Sequence, residues 1–155
     1  MEFNKEDRFL LDCIRRDPNV SDHLQGFASS CWDSVIQRAI QHSIAPFLYL
    51  ELKDIHNKID LPDDILERLH GIYMQNTVRN IRFYHELSNA LDQLNRAGIP
   101  AIVLKGAYLS EIVYKDVGRR YMEDVDILFR KKDLGPAQKC LNRAGYLHQK
   151  SYLPI

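Results

Sequence analysis

Glu123-Asp124-Val125-Asp126-Ile127-Leu128-Phe129 alternates polar and apolar residues, and upstream of it the apolar run Ile99-Pro100-Ala101-Ile102-Val103-Leu104 leads into the turn Lys105-Gly106-Ala107. Successive side chains of an extended strand point to opposite faces. A strand over 123–129 therefore places Asp124 and Asp126 on one side and Val125, Ile127 and Phe129 on the other. One face is anionic and the other is core. The two carboxylates stand about 7 Å apart along the backbone, at roughly 3.3 Å per residue. Together they suit a hard divalent cation with oxygen preference such as Mg²⁺.

Working outward, the β-branched run 99–104 reads as a strand with Pro100 at its start, where a missing N–H costs least. A helical turn or two follows over 107–114, then the strand 123–129, then a helix over 134–144 stopped by Gly145. Tyr146 onward suggests a third strand. The first part of the chain is helical. Phe9, Leu10, Cys13 and Ile14 repeat at helical spacing over 5–16, a segment closed by Pro18. Ser29, Ser30 and Asp33 offer caps for a second helix that buries Trp32, Val35, Ile36, Ala39 and Ile40. Pro46 opens a third segment through Ile55, for which helix is favoured and strand stays open. Pro62-Asp63-Asp64 starts a fourth helix. Its apolar residues, from Ile65 and Leu69 to Leu91 and Leu94, recur at three and four until Gly98, interrupted by Asn76 and Asn80. The expected fold is α+β: a helical region over 1–96 that includes a long connecting helix, then a small mixed sheet over 97–155.

Composition narrows the function. Of 155 residues, 45% are hydrophobic and 27% charged, and 21 basic side chains balance 21 acidic ones. No net field draws polyanions, so generic nucleic-acid binding is not indicated. Cys13, Cys31 and Cys140 are odd in number and widely spaced, which argues against a disulfide framework and a zinc knuckle and fits a reducing cytosol. The first residues lack the basic-then-apolar pattern of a signal peptide, and no stretch approaches the roughly 18 apolar residues of a membrane span. A soluble cytoplasmic protein is expected. The histidines lack metal-ligand spacing, and Ser110 and Cys140 lack the surroundings of a nucleophile.

Ala97-Gly98-Ile99, Leu104-Lys105-Gly106, Tyr114, Arg120, Asp124-Val125-Asp126-Ile127-Leu128 and Ala144-Gly145-Tyr146 resemble the bacterial nucleotidyltransferase-like family of the DNA polymerase β superfamily. Upstream, 32–50 resembles its helical front part and 62–95 its long connecting helix. The resemblance implies a Mg²⁺-dependent transfer of a nucleoside monophosphate from a nucleoside triphosphate to an acceptor hydroxyl. By the same resemblance Asp124 and Asp126 are the catalytic metal ligands, and Lys105, Gly106, Ala107 and Arg120 face the nucleotide. The acceptor, a protein or a small molecule, stays open.

Two departures from the superfamily pattern stand out. Ala107 replaces a serine whose hydroxyl would contact phosphate, and nothing acidic follows Asp133 to act as a third carboxylate. The core therefore reads as shortened at its carboxyl end, or as completed by another subunit. A catalytically silent interaction or regulatory module is the alternative, with a nucleotide sensor behind it. Blander readings compete at each position. Asp124 and Asp126 also fit the solvated face of a strand, Gly106 a crowded turn, and Arg119 is as good an inward arginine as Arg120. Arg130-Lys131-Lys132 reads as a charged strand exit without a stacking platform.

Overall fold

The computed structural model describes residues 4–17, 20, 27, 29–59 and 61–147. Helix α1, Lys5–Arg15, is capped by the Asn4 side chain, which accepts from the Asp7 N–H at 2.8 Å, and it closes on Arg16 in the left-handed region. Pro18, expected to end it, lies outside the described residues. Helix α2 is Ser29–Gln41 and α3 is Ala45–Ile55 with Pro46 in its first turn, so the open choice at 46–55 resolves as helix. The capping side chains expected at Ser29 and Ser30 also lie outside what is described. Phe9, Trp32 and Phe27 meet with ring centroids 5.5 Å apart in a core that continues through Val35, Leu48 and Leu52. Ile14 and Ile40, expected in that core, are exposed. Each sits at the margin of its helix's apolar stripe, where neighbouring helices no longer reach.

Helix α4, Asp63–Arg96, is one unbroken element of 34 residues, or about 50 Å at 1.5 Å per residue. Its first half buries Ile65 and Leu69 against α1–α3, whereas Leu87 and Leu94 pack on the second half of the chain. Gly98 ends it with φ +66°, a conformation that costs glycine little. No helix among the described residues is long and apolar enough to cross a membrane.

The sheet differs from the expected one. Strands β1, Ile102–Val103, and β2, Ile127–Leu128, pair antiparallel with Ile102 opposite Leu128 and Val103 opposite Ile127. Among the described residues the sheet is thus two-stranded and antiparallel, not mixed, and both strands are shorter than 99–104 and 123–129. The causes are local. The Ile99 N–H bonds back to Leu94 O at 2.9 Å and belongs to the helix end. Pro100 has no N–H to offer. At Lys105 the chain leaves the sheet, so Asp124 and Val125 have no strand beside them. Tyr146 and Leu147 form no strand, and the rest of the expected third strand lies outside the described residues.

Between the strands, α5 spans Lys105–Tyr108 and continues as a π-helical turn over Leu109–Tyr114, starting two residues before the expected 107. Helix α6, Leu134–Arg143, follows a 3₁₀ turn and ends before Gly145. The Cys140 thiol donates to Gln93 O at 3.4 Å and holds α6 to α4. Val125 and Ile127 pack toward Leu87, Ala107 and Met122, while Phe129 packs toward Leu94 and Ala137. The expected core face of 123–129 is therefore present.

Cys13 lends the helical core a pH signature. Burial, and then the charges of Glu51 and Asp12, push its thiol from 9.0 up to about 12. On unfolding the thiol ionises near its ordinary value, so between these two values the unfolded chain holds fewer protons than the folded one. Stability then falls as pH rises, by up to ~1.4 kcal/mol per pH unit for one proton. Urea midpoints measured from pH 9 to 11 should fall more steeply for the natural chain than for Cys13→Ala. Parallel slopes would contradict this.

Candidate functional site

The turn after β1 meets the start of β2. Leu104 N donates to Asp126 O at 2.9 Å, one bond beyond the paired strands, and this sets Asp126 beside the turn. Lys105 adopts φ +47°, a left-handed conformation that costs a non-glycine residue about 1 kcal/mol. Its ammonium lies 3.1 Å from Asp126 Oδ2. The lysine side chain is 70% exposed and the aspartate 33%, so the pair contributes only about 0–1 kcal/mol to stability. A pair this weak is easily exchanged for another cation.

Gly106 has a steric reason. A Cβ there would stand 3.1 Å from Met122 Cγ, 3.2 Å from Met122 Sδ and 3.5 Å from Arg120 Nε. Crowding at this turn is real, and it brings the loop that carries Arg120 directly against the backbone at 106. Ala107 is buried, and its carbonyl accepts from the Tyr84 hydroxyl at 2.5 Å. Burial pushes the Tyr84 phenol above its ordinary value and keeps it a donor.

The loop 115–122 is held by polar residues of α4. Asn76 Nδ2 donates to Gly118 O at 2.7 Å and Arg120 O at 3.1 Å, and Asn80 Nδ2 to Val117 O at 2.6 Å and Arg120 O at 2.7 Å. One turn earlier, the Tyr73 hydroxyl donates to Asp116 Oδ1 at 3.0 Å, and Asp116 also accepts from the Gly118 N–H at 2.8 Å. Burial and then this hydrogen bond raise the Tyr73 phenol above its ordinary value. Positions 73, 76, 80, 84 and 87 share one helix face. The same stripe of α4 thus grips the loop through its asparagines and the turn through Tyr84 and Leu87. Asn76 and Asn80, which interrupt the apolar pattern of the sequence, are the positioning residues that the pattern could not assign. Two buried-face asparagines four apart were the available signal.

Asn80 is fully buried. Asn80→Ala should cost about 2–4 kcal/mol, because two loop carbonyls lose a donor within the fold. Thermal unfolding checks this, and a change below 1 kcal/mol would contradict the clamp.

The choice between Arg119 and Arg120 resolves geometrically. Arg119 turns away from the glycine turn. Its Nη2 pairs with Glu51 Oε1, the oxygen that Arg16 Nη2 also holds at 3.0 Å, and its guanidinium lies 4.6 Å from the centre of the Phe47 ring. Arg119 therefore ties the loop to α3. Arg120 faces Gly106, its Nε is buried without a partner, and it makes no ion pair among the described residues. Lys105, Gly106, Arg120 and Asp126 come together. Asp124, two residues before Asp126, is exposed and makes no hydrogen bond or ion pair among the described residues. The described residues hold no group of three or more His, Cys, Asp or Glu arranged for a metal ion.

Over residues 28–153 the chain matches the sequence model of a family described as "Uncharacterised nucleotidyltransferase". The chain belongs to this nucleotidyltransferase family. The match spans the turn, the clamped loop and both aspartates, as well as α2, α3 and α4. No curated protein and no solved structure matches it.

Proposed function

We propose that the chain is a Mg²⁺-dependent nucleotidyltransferase of the cytosol, moving a nucleoside monophosphate from a nucleoside triphosphate to an acceptor hydroxyl with release of pyrophosphate. The observation that carries the reading is the gathering of Lys105, Gly106, Arg120 and Asp126 at one turn, with Lys105 3.1 Å from Asp126. In this reading 1–96 is the scaffold and 97–155 carries the chemistry. The donor set fits Mg²⁺, since Asp124 and Asp126 offer hard oxygens on an accessible segment and Mg²⁺ commonly takes one or two carboxylates, waters and substrate phosphates. Asp124 and Asp126 would hold it, and when bound it would neutralise phosphate charge and polarise the reacting phosphoryl group.

The rest belongs to side chains of this chain. Lys105 exchanges its weak pairing with Asp126 for a phosphate oxygen, leaving both carboxylates to the cation. Arg120 brings a guanidinium without an ion pair among the described residues, and its donor fork matches phosphate geometry. Gly106 lets the backbone approach, and Ala107 contributes packing in place of a hydroxyl. An incorporation assay with the four α-labelled triphosphates, Mg²⁺ and a small-molecule extract as acceptor source tests this. Label transfer with pyrophosphate release, lost in Asp124→Asn/Asp126→Asn, is expected. Transfer unchanged in that variant would contradict the assignment.

The second reading is a silent interaction module of the same fold. Ala107 at the serine position and the engagement of Asp126 by Lys105 favour it. Its signature is a protein partner retained without nucleotide, and no label transfer.

A further inference from the structure

A cavity of about 270 Å³ opens where the loop 115–122 meets the helical region. Its walls include Phe47, Tyr114, Tyr121, Arg120, Ile14 and the α2–α3 turn at Ser43. Two sets of observations give it a chemistry. The first is charge. Arg119 at its edge is paired with Glu51, which it shares with Arg16, and Asp116 is turned to Tyr73 and the Gly118 N–H. Arg120 has no such counter-ion among the described residues, and Arg79, equally without an ion pair there, stacks on the Tyr121 ring at 3.7 Å. Among the described residues, the cations at this cavity outnumber the anions. The second is shape. Three aromatic rings line a space just under the ~300 Å³ lower end of small-ligand pockets, which suits a single planar ring with one or two substituents and excludes a folded segment.

Arg120 joins this cavity to the turn, since its Nε also lies 3.5 Å from where a Gly106 Cβ would stand. A guanidinium carries five N–H donors. That is enough to serve a phosphate at Gly106 and an anion in the cavity together. We propose that the cavity is the acceptor pocket, and that the acceptor is a small molecule with a planar ring, an anionic group and the hydroxyl that is modified. The anion sits on Arg120 and the ring against Tyr114 and Tyr121. This inference rests on the nucleotidyl-transfer reading above.

The test is calorimetry on the full chain with 4-hydroxybenzoate, with the neutral 4-hydroxybenzyl alcohol as comparison, and with Mg²⁺–ATP titrated separately into the same samples. The carboxylate probe should bind at least about tenfold more tightly than the alcohol. Ile14→Trp fills the cavity from an exposed helix position. It should weaken the probe at least about tenfold and leave Mg²⁺–ATP binding unchanged. Equal binding of the two probes, a probe affinity untouched by Ile14→Trp, or no probe binding at millimolar concentration would each overturn the pocket, whatever ATP does. Probe binding in a chain that binds no triphosphate would overturn the acceptor role and the transfer reading with it. The two-probe comparison uses the natural chain alone, so it decides the matter even if Ile14→Trp does not fold.

Discussion

Asp126→Asn is expected to lower Mg²⁺-dependent triphosphate affinity by at least about a hundredfold, because even outer-shell partners of bound metals are worth about 10–100-fold. The substitution keeps the shape of the side chain and removes its charge. The backbone bond from Leu104 N to Asp126 O at 2.9 Å is untouched, and the lost partner of Lys105 is a largely exposed one. Stability should therefore move by less than about 1 kcal/mol. The two readouts together separate function from folding: calorimetry records the loss of binding, and an unchanged melting curve shows that the turn still forms. Lys105→Met should act with opposite signs on two ligands. Mg²⁺ alone binds more tightly once the competing ammonium is gone, while the triphosphate binds more weakly. Triphosphate binding that survives in Asp126→Asn would remove the aspartate from the site.

Gly118→Ala should disrupt the clamped loop sterically. An added Cβ would overlap Thr77 Oγ1 and stand 2.6 and 2.7 Å from Tyr73 Cε2 and Cζ, separations that real Cβ atoms essentially never show. Both neighbours sit on α4, and Tyr73 is fixed through its hydrogen bond to Asp116. The loop must move instead. That breaks the asparagine bonds to Gly118 O, Val117 O and Arg120 O and carries Arg120 away from Gly106. A loss of about 2–4 kcal/mol is expected in urea unfolding. Gly71→Ala supplies the contrast, for nothing lies within 4 Å of its Cβ position in the middle of α4. That change should stabilise the helix by up to about 1 kcal/mol. If the two substitutions shift the midpoint alike, the loop is not clamped as described.

The helices were legible because each buries one stripe, and the three-and-four spacing of Phe9, Leu10 and Cys13, or of Trp32, Val35, Ile36 and Ala39, reports that stripe directly. The margins were not. Ile14 and Ile40 obey the same spacing and are exposed, since periodicity gives direction but not the width of the neighbour. The sheet shows the same limit. Alternation in 123–129 correctly places Val125, Ile127 and Phe129 toward the core. It cannot say how far a partner strand runs alongside, and that was decided by Pro100 and by the departure of the chain at Lys105. In the site, Asp126 could be named from strand alternation, and Lys105, Gly106 and Arg120 from the family resemblance. Asn76 and Asn80 could not, because their partners are backbone carbonyls about forty residues away, and a carbonyl leaves no mark in a sequence. The distinct roles of Arg119 and Arg120 depended likewise on Glu51 and Gly106, which only the fold brings near.

The most direct test of the central claim is a calorimetric titration of the natural chain with ATP, GTP, CTP and UTP, each in Mg²⁺ and again in excess EDTA. At least one triphosphate is expected to bind in Mg²⁺, and EDTA is expected to abolish that binding. Binding that persists in EDTA, or no binding of any of the four in Mg²⁺, would contradict it.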